Sequence, residues 1–193
     1  MASRVPAWAN LPNLLTLLRL LLVPVVVHYI VDGRYLLAGW LFGAAGITDI
    51  LDGAAARLMD VKTPAGAYFD PIADKCLLSG AYLALAWAHF VPWWLVAVIF
   101  GRDVYILLGV GLFMLFTTAR RFPPSIWGKV STFVQICTAV LAMARVIFGT
   151  RVLVAISSAM LWPCVGFTVW SGLDYTSKAI RVYRYIDAVR ARE

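Results

Sequence analysis

Four of the five aspartates between positions 49 and 74 have spacings that would let them act together. Asp49 and Asp52 are three residues apart, and Asp70 and Asp74 are four apart. Residues at either spacing are neighbours on one face of a helix. Two adjacent antiparallel helices carrying these pairs would point four carboxylates at one place. Such a cluster would repel itself unless cations lay among the carboxylates, so the pattern predicts a metal site.

The ligand chemistry favours two divalent cations. Carboxylate oxygens are hard ligands that suit Mg²⁺ or Mn²⁺, and no histidine lies in the window 49–74. Two ions bridged by shared carboxylates could clamp a pyrophosphate and stabilise its leaving group. Gly53 and Ala56 lack bulk and leave room for a ligand, while Arg57 offers planar donors suited to phosphate. A charge at a helix end in the head-group layer would explain one aspartate alone, but not four at paired spacing.

The composition indicates that a membrane surrounds this site. Hydrophobic residues make up 62% of the 193-residue chain and charged residues 14%, with a mean hydropathy of +0.83. Ordinary soluble domains are about 45–50% apolar and about 25% charged. Lipid can cover this much apolar surface, whereas a soluble fold of this size cannot hide it. We therefore predict an all-α, polytopic membrane protein.

Six segments are long and apolar enough for membrane helices, which need about 20 residues each. Turn signals separate them, including Asp32-Gly33, Thr63-Pro64 with Gly66, Pro92 and Pro123-Pro124. The chain is predicted to be a single domain, 1–193, with a short interfacial N-terminus (1–11) and a basic tail (178–193) that fits a short interfacial helix. The predicted segments are 12–31, 35–58, 70–90, 92–117, 128–148 and 152–176.

The distribution of Lys and Arg predicts the orientation in the membrane. With the N-terminus in the cytoplasm, twelve basic residues flank the helices on the inside and three, Arg34, Arg145 and Arg151, on the outside. Because cytoplasmic loops carry the excess of positive charge, both termini and the acidic site are expected on the cytoplasmic side of the cell membrane. The net charge of +7 is explained by attraction to the anionic inner leaflet rather than by nucleic-acid binding. The twelve inside residues are Arg4, Arg57, Lys62, Lys75, Arg120, Arg121, Lys129, Lys178, Arg181, Arg184, Arg190 and Arg192.

The acidic window resembles the signature of the CDP-alcohol phosphotransferase family at every fixed position. The matching positions are Asp49, Asp52, Gly53, Ala56, Arg57, Gly66, Asp70 and Asp74. Two further stretches are similar to the phosphatidylglycerol-phosphate synthase and cardiolipin synthase branches of that family. They are 13–19, which begins with Asn13 and ends with Arg19, and 128–135, which begins with Gly128-Lys129.

This resemblance implies a six-helix membrane fold, a homodimer and an active site open to the cytoplasm. It implies a phosphatidyl transfer from CDP-diacylglycerol to an alcohol with release of CMP. Asp49, Asp52, Asp70 and Asp74 would be the metal ligands for Mg²⁺ or Mn²⁺, and Asp74 would also be the catalytic base. The residues implied in donor binding are Asp52, Gly53, Ala56, Arg57, Thr63 and Gly66.

The acceptor alcohol is less well indicated. Arg102, Lys129, Arg120 and Arg121 could bind an acidic acceptor, although Arg102 could equally form an internal ion pair with the adjacent Asp103. The main expectation is glycerol 3-phosphate. However, a Leu-Arg-Glu sequence often follows the basic–acidic pair in phosphatidylglycerol-phosphate synthases, and this chain lacks it, with 109–115 reading GVGLFML. Phosphatidylglycerol, the acceptor of a cardiolipin synthase, is the alternative.

A transporter would be the main alternative from another functional class, since it too places acids within a helix bundle. Transporters usually show internal repeats and broken helices near the membrane midplane. This chain has no repeat, and its acids lie towards the predicted cytoplasmic ends of their helices. A purely structural membrane protein would not need the paired acids. The pattern therefore favours the enzyme.

Overall fold

A computed structural model describes the backbone of residues 11–58, 64–116 and 125–190, and the side chains of residues 16–48, 73–109, 111 and 125–182. These parts of the chain are helical and contain no strand, which confirms the predicted all-α fold for them. Each of the six predicted segments overlaps one helix. The helices are α1 (Leu11–Val31), α2 (Tyr35–Leu58), α3 (Pro64–Trp87), α4 (Trp93–Phe116), α5 (Ile126–Phe148) and α6 (Arg151–Arg190).

The helix ends follow most of the turn signals. Gly33, between α1 and α2, has a φ of 75°, a conformation that glycine adopts without steric cost. Pro64, however, does not belong to a turn but begins α3, because the first turn of a helix tolerates a residue without an N–H group. The predicted end of the sixth segment at residue 176 was also wrong, since α6 continues to Arg190 as one helix; the interfacial position of the tail stays a prediction. Pro123 and Pro124 lie outside the described residues.

The helices form two compact units, the first of which contains α1, α2, α3 and residues Ala142–Thr150. In this unit α1 packs closely on α3. A Cβ atom added to Gly80 of α3 would lie 3.0 Å from Cγ1 of Val23 and 3.1 Å from Cγ2 of Val27 on α1. Arg19, earlier on α1, contacts Asp74, earlier on α3, so the two helices run parallel in a common register.

The second unit contains α4, the first part of α5 and α6. Buried polar side chains join α5 to α6 within it. The amide nitrogen Nε2 of Gln135 donates to Oγ1 of Thr168 at 3.0 Å and to Oγ of Ser131 at 3.4 Å. Small and polar side chains of this kind are the usual contacts between membrane helices, where lipid removes the hydrophobic driving force for helix association.

Many large apolar side chains are exposed, as expected where lipid is the solvent. Trp40 is 71% exposed, Leu107 72% and Trp162 74%, whereas polar Ser131, Thr168 and Ser171 are fully buried. Among the described residues, two helical stretches are long and apolar enough to cross a membrane, Ile126–Phe148 and Arg151–Val182. Shorter apolar stretches are Thr16–Val31 and Tyr35–Thr48. These features support a membrane protein.

Candidate active site

The four aspartates lie on two helices that follow each other in the chain. Asp49 and Asp52 are in the second half of α2, and Asp70 and Asp74 are in the first half of α3. The backbone of both segments is helical, and residues three or four positions apart are neighbours along a helix. Among the proposed donor-binding residues, Gly53, Ala56 and Arg57 are also on α2 and Gly66 is on α3, while Thr63 lies outside the described residues.

Asp74 is the member of this set whose side chain is described, and its carboxylate is accessible, with 44% of the side chain exposed. The side chains of Asp49, Asp52 and Asp70 lie outside the described set, and within that set no group of three or more metal-ligating side chains occurs. The residue types fit the expected cations, since four aspartates offer only hard oxygen ligands for Mg²⁺ or Mn²⁺. Convergence of all four remains a prediction.

An arginine beside Asp74 is the feature of this site that sequence reasoning missed. Nη1 of Arg19, on α1, donates to Oδ1 of Asp74 at 2.6 Å, and the Arg19 side chain is only 4% exposed. The two residues are 55 positions apart in the chain, so no local spacing predicts their contact. A signal was nevertheless present, because a charged residue within an apolar helix needs an internal partner.

Arg102 forms the ion pair that the sequence left open. Its Nη1 donates to Oδ1 of the adjacent Asp103 at 2.7 Å, and its Nε donates to Oγ of Ser171 on α6 at 2.8 Å. The Arg102 side chain is 11% exposed. The bond to Ser171 joins α4 to α6, and the bond to Asp103 pairs the charge within α4. These contacts give Arg102 a packing role, while a role in acceptor binding stays a prediction.

Gly128 and Lys129 lie in the first turn of α5, close to Arg102. A Cβ atom on Gly128 would be 3.3 Å from the ring of Tyr175 and 3.4 Å from Nη2 of Arg102, so glycine allows the close approach. The Lys129 side chain is exposed. Arg120 and Arg121, the other two predicted acceptor residues, lie outside the described residues.

A polar cluster at the start of α5 was also missed from the sequence. Oγ of Ser125 donates to the carboxylate of Asp174 on α6, and the backbone N–H of Ser125 donates to the hydroxyl of Tyr175 at 3.4 Å. Lys178, one turn further along α6, forms an ion pair with Asp174 at 3.1 Å. These contacts fix the first turn of α5, which carries Lys129, against α6.

Comparison with known proteins identifies the class. The family model for CDP-alcohol phosphatidyltransferases matches residues 9–170, which includes all four aspartates and five of the six helices in full. The chain belongs to this family, and it is a phosphatidyltransferase of phospholipid synthesis. The resemblance inferred from the acidic window is thereby confirmed.

Relatives with two different activities are similar to this chain. A probable phosphatidylglycerophosphate synthase of Mycobacterium tuberculosis is 37% identical over 90% of this chain and 83% of its own length. A CDP-diacylglycerol–glycerol-3-phosphate 3-phosphatidyltransferase of Bacillus subtilis is 32% identical over 88% of this chain and 94% of its own length. A CMP-forming cardiolipin synthase of Rattus norvegicus is 30% identical over 95% of this chain and 68% of its own length.

Proposed function

We propose that this protein transfers the phosphatidyl group of CDP-diacylglycerol to glycerol 3-phosphate and releases CMP. Family membership supports the donor and the reaction class. The observation that supports glycerol 3-phosphate as the acceptor is the similarity to the Bacillus subtilis enzyme. The name of that enzyme specifies glycerol 3-phosphate, and the match covers 94% of its length. The product would be phosphatidylglycerol phosphate, in agreement with the name of the Mycobacterium tuberculosis relative.

Asp74 is the proposed base in this reaction. Its carboxylate, which is 44% exposed, takes the proton from the acceptor hydroxyl. The acceptor oxygen forms a bond to the phosphorus that carries diacylglycerol, and the bond from that phosphorus to the CMP oxygen breaks. CMP leaves with the electron pair of that bond. Because a carboxylate is a weak base for an alcohol, positioning of the reactants must supply much of the acceleration.

Asp49, Asp52 and Asp70, together with Asp74, are the residues proposed to hold two divalent cations. When bound, such ions neutralise the charge that develops on a pyrophosphate as it is cleaved. Asp52, Gly53, Ala56, Arg57, Thr63 and Gly66 are proposed to bind the CDP part of the donor. Within this set, the planar guanidinium of Arg57 suits bidentate contact with a phosphate. The glycines lack a side chain and let the ligand approach the protein backbone closely.

Lys129 is the described residue that best suits the phosphate of the acceptor. Its ammonium group is on an exposed side chain, in a turn that Ser125 and Asp174 fix in place. Arg102 is a weaker candidate, because Asp103 and Ser171 already accept from it. Arg120 and Arg121 stay in the proposal on the strength of the sequence pattern alone.

The proposed setting is the cell membrane, with six membrane-spanning helices and a homodimeric assembly. Both termini and the acidic site face the cytoplasm. The exposed apolar side chains, the two helical stretches long enough to span and the twelve-to-three bias of basic residues support this setting. The homodimer rests on the family resemblance.

Phosphatidylglycerol is the second candidate acceptor, which would make the protein a cardiolipin synthase. Two observations favour it: the cardiolipin synthase of Rattus norvegicus matches 95% of this chain, and the Leu-Arg-Glu sequence is absent after Asp103. The coverage argues against phosphatidylglycerol, because the match to this chain spans 68% of the length of that cardiolipin synthase but 94% of the length of the Bacillus subtilis enzyme.

The deciding experiment supplies purified protein with CDP-diacylglycerol and Mg²⁺ and offers three acceptors in parallel: glycerol 3-phosphate, phosphatidylglycerol and inositol phosphate. We expect CMP release with glycerol 3-phosphate, and release about 10²–10⁴-fold slower with Asp74→Asn protein under the same conditions. Release with phosphatidylglycerol alone would establish the cardiolipin synthase instead. Release with none of the three would refute both candidate acceptors.

A further inference from the structure

The starting observation is a buried cation that faces the proposed catalytic base. Arg19 is 4% exposed, and its Nη1 lies 2.6 Å from Oδ1 of Asp74, which is itself 44% exposed. Burial of a guanidinium within an apolar helix is costly unless it is paired. Because the arginine is enclosed and the aspartate is accessible, the arginine is the fixed partner and the carboxylate is the group that it restrains.

The packing of α1 on α3 keeps this partner in place. Gly80 lies six residues after Asp74 on α3, and the two valines that enclose its position, Val23 and Val27, lie four and eight residues after Arg19 on α1. Contacts at two levels along parallel helices fix both their separation and their register. The backbone positions that carry Arg19 and Asp74 are therefore held relative to each other.

We propose that Arg19 is a positioning residue for the phosphatidyl transfer, which orients the carboxylate of Asp74 through the hydrogen bond to Oδ1. The inference rests on the proposed function, in which Asp74 accepts the acceptor proton. An accessible aspartate that loses this hydrogen bond can sample more of its staggered rotamers, and a misplacement of about 1 Å can cost about 100-fold in rate. Arginine suits this task because it stays protonated and presents its donors in a rigid plane.

The first test compares Arg19→Met, which removes charge and donors, with Arg19→Lys, which keeps the charge but loses the planar fork. We expect Arg19→Met to lower kcat by about 10-fold to 100-fold, with the KM for CDP-diacylglycerol within about twofold of wild type, because a residue acting through Asp74 does not bind the donor. Arg19→Lys should recover part of the loss. Arg145→Met is the matched control, since Arg145 lies over the ring of Phe90, and it should keep wild-type turnover.

The second test needs no substrate and no metal. The midpoint of thermal unfolding is measured in metal-free detergent solution for Arg19→Met, for Asp74→Asn and for the double variant. Because the two side chains are in contact, their effects should not add, and the double variant should lose less than the sum of the single losses. If Arg19→Met does not fold, Arg19→Lys is used in the same cycle.

The outcomes separate this inference from the proposed function. Wild-type protein that releases no CMP with any acceptor would refute the function. Active wild-type protein with unchanged kcat in Arg19→Met, or with additive losses of stability, would overturn the inference alone. A rise in KM as large as the fall in kcat would also overturn it, by assigning Arg19 to donor binding.

Discussion

Replacing Gly80 with valine should separate α1 from α3 and disturb the site at a distance. The first added atom would already lie 3.0 Å from Val23 and 3.1 Å from Val27, inside ordinary van der Waals contact, and both neighbours are stiff β-branched side chains. Overpacking of this kind costs about 1–3 kcal/mol. Valine and glycine differ little in helix propensity, so the steric cost should dominate.

The assay is the midpoint of thermal unfolding of purified protein, together with kcat. For a chain of this size about 2–4 °C is lost per kcal/mol, so the midpoint for Gly80→Val should fall by about 2–12 °C. Turnover should fall as well, because the same displacement lengthens the contact between Arg19 and Asp74. The matched control is Gly43→Val on α2, since no described atom lies within 4 Å of its added Cβ. Equal midpoints for the two variants would refute the close packing of α1 on α3.

Two further predictions concern the donor pocket and the topology. Arg57→Lys keeps the charge but loses the bidentate fork, so the KM for CDP-diacylglycerol should rise while the thermal midpoint is unchanged; unaltered kinetics would remove Arg57 from the donor site. In a background without Cys76, Cys137 and Cys164, a cysteine at Gly33 should react with an impermeant reagent added outside intact cells. A cysteine at Thr63 should react only after permeabilisation, and the reverse pattern would place the acidic site on the outer face.

Helix existence and helix type could be predicted from the sequence because the apolar segments are long and the turn residues are distinct. Asp32-Gly33 and Pro92 mark real boundaries. Pro64 was misread because proline both ends helices and begins them, and the sequence alone does not distinguish these positions. The end of α6 was placed too early because its last turns are polar, and hydropathy marks where a helix leaves the apolar layer rather than where it stops.

The composition of the candidate site could be predicted, but its supporting contacts could not. Local spacing is enough to identify the four aspartates as a set, because residues three or four positions apart share one face of a helix. They are Asp49, Asp52, Asp70 and Asp74. The partner of Asp74 is 55 positions away on another helix, and its contact depends on the register between α1 and α3. The link from Ser125 to Asp174 depends in the same way on how α5 packs on α6.

The central claim is that all four aspartates bind metal and that Asp74 alone also accepts the proton. The most direct test is the rate of CMP release as a function of metal concentration. Wild-type protein and the four single Asp→Asn variants are compared, with binding of CDP-diacylglycerol checked separately. Asp49→Asn, Asp52→Asn and Asp70→Asn should regain activity at high Mg²⁺ or Mn²⁺, because each loses one charged ligand oxygen. Asp74→Asn should bind the donor but stay about 10²–10⁴-fold slower at every metal concentration, because its amide cannot accept the proton. Recovery of Asp74→Asn as readily as Asp49→Asn would contradict the account and place the base elsewhere.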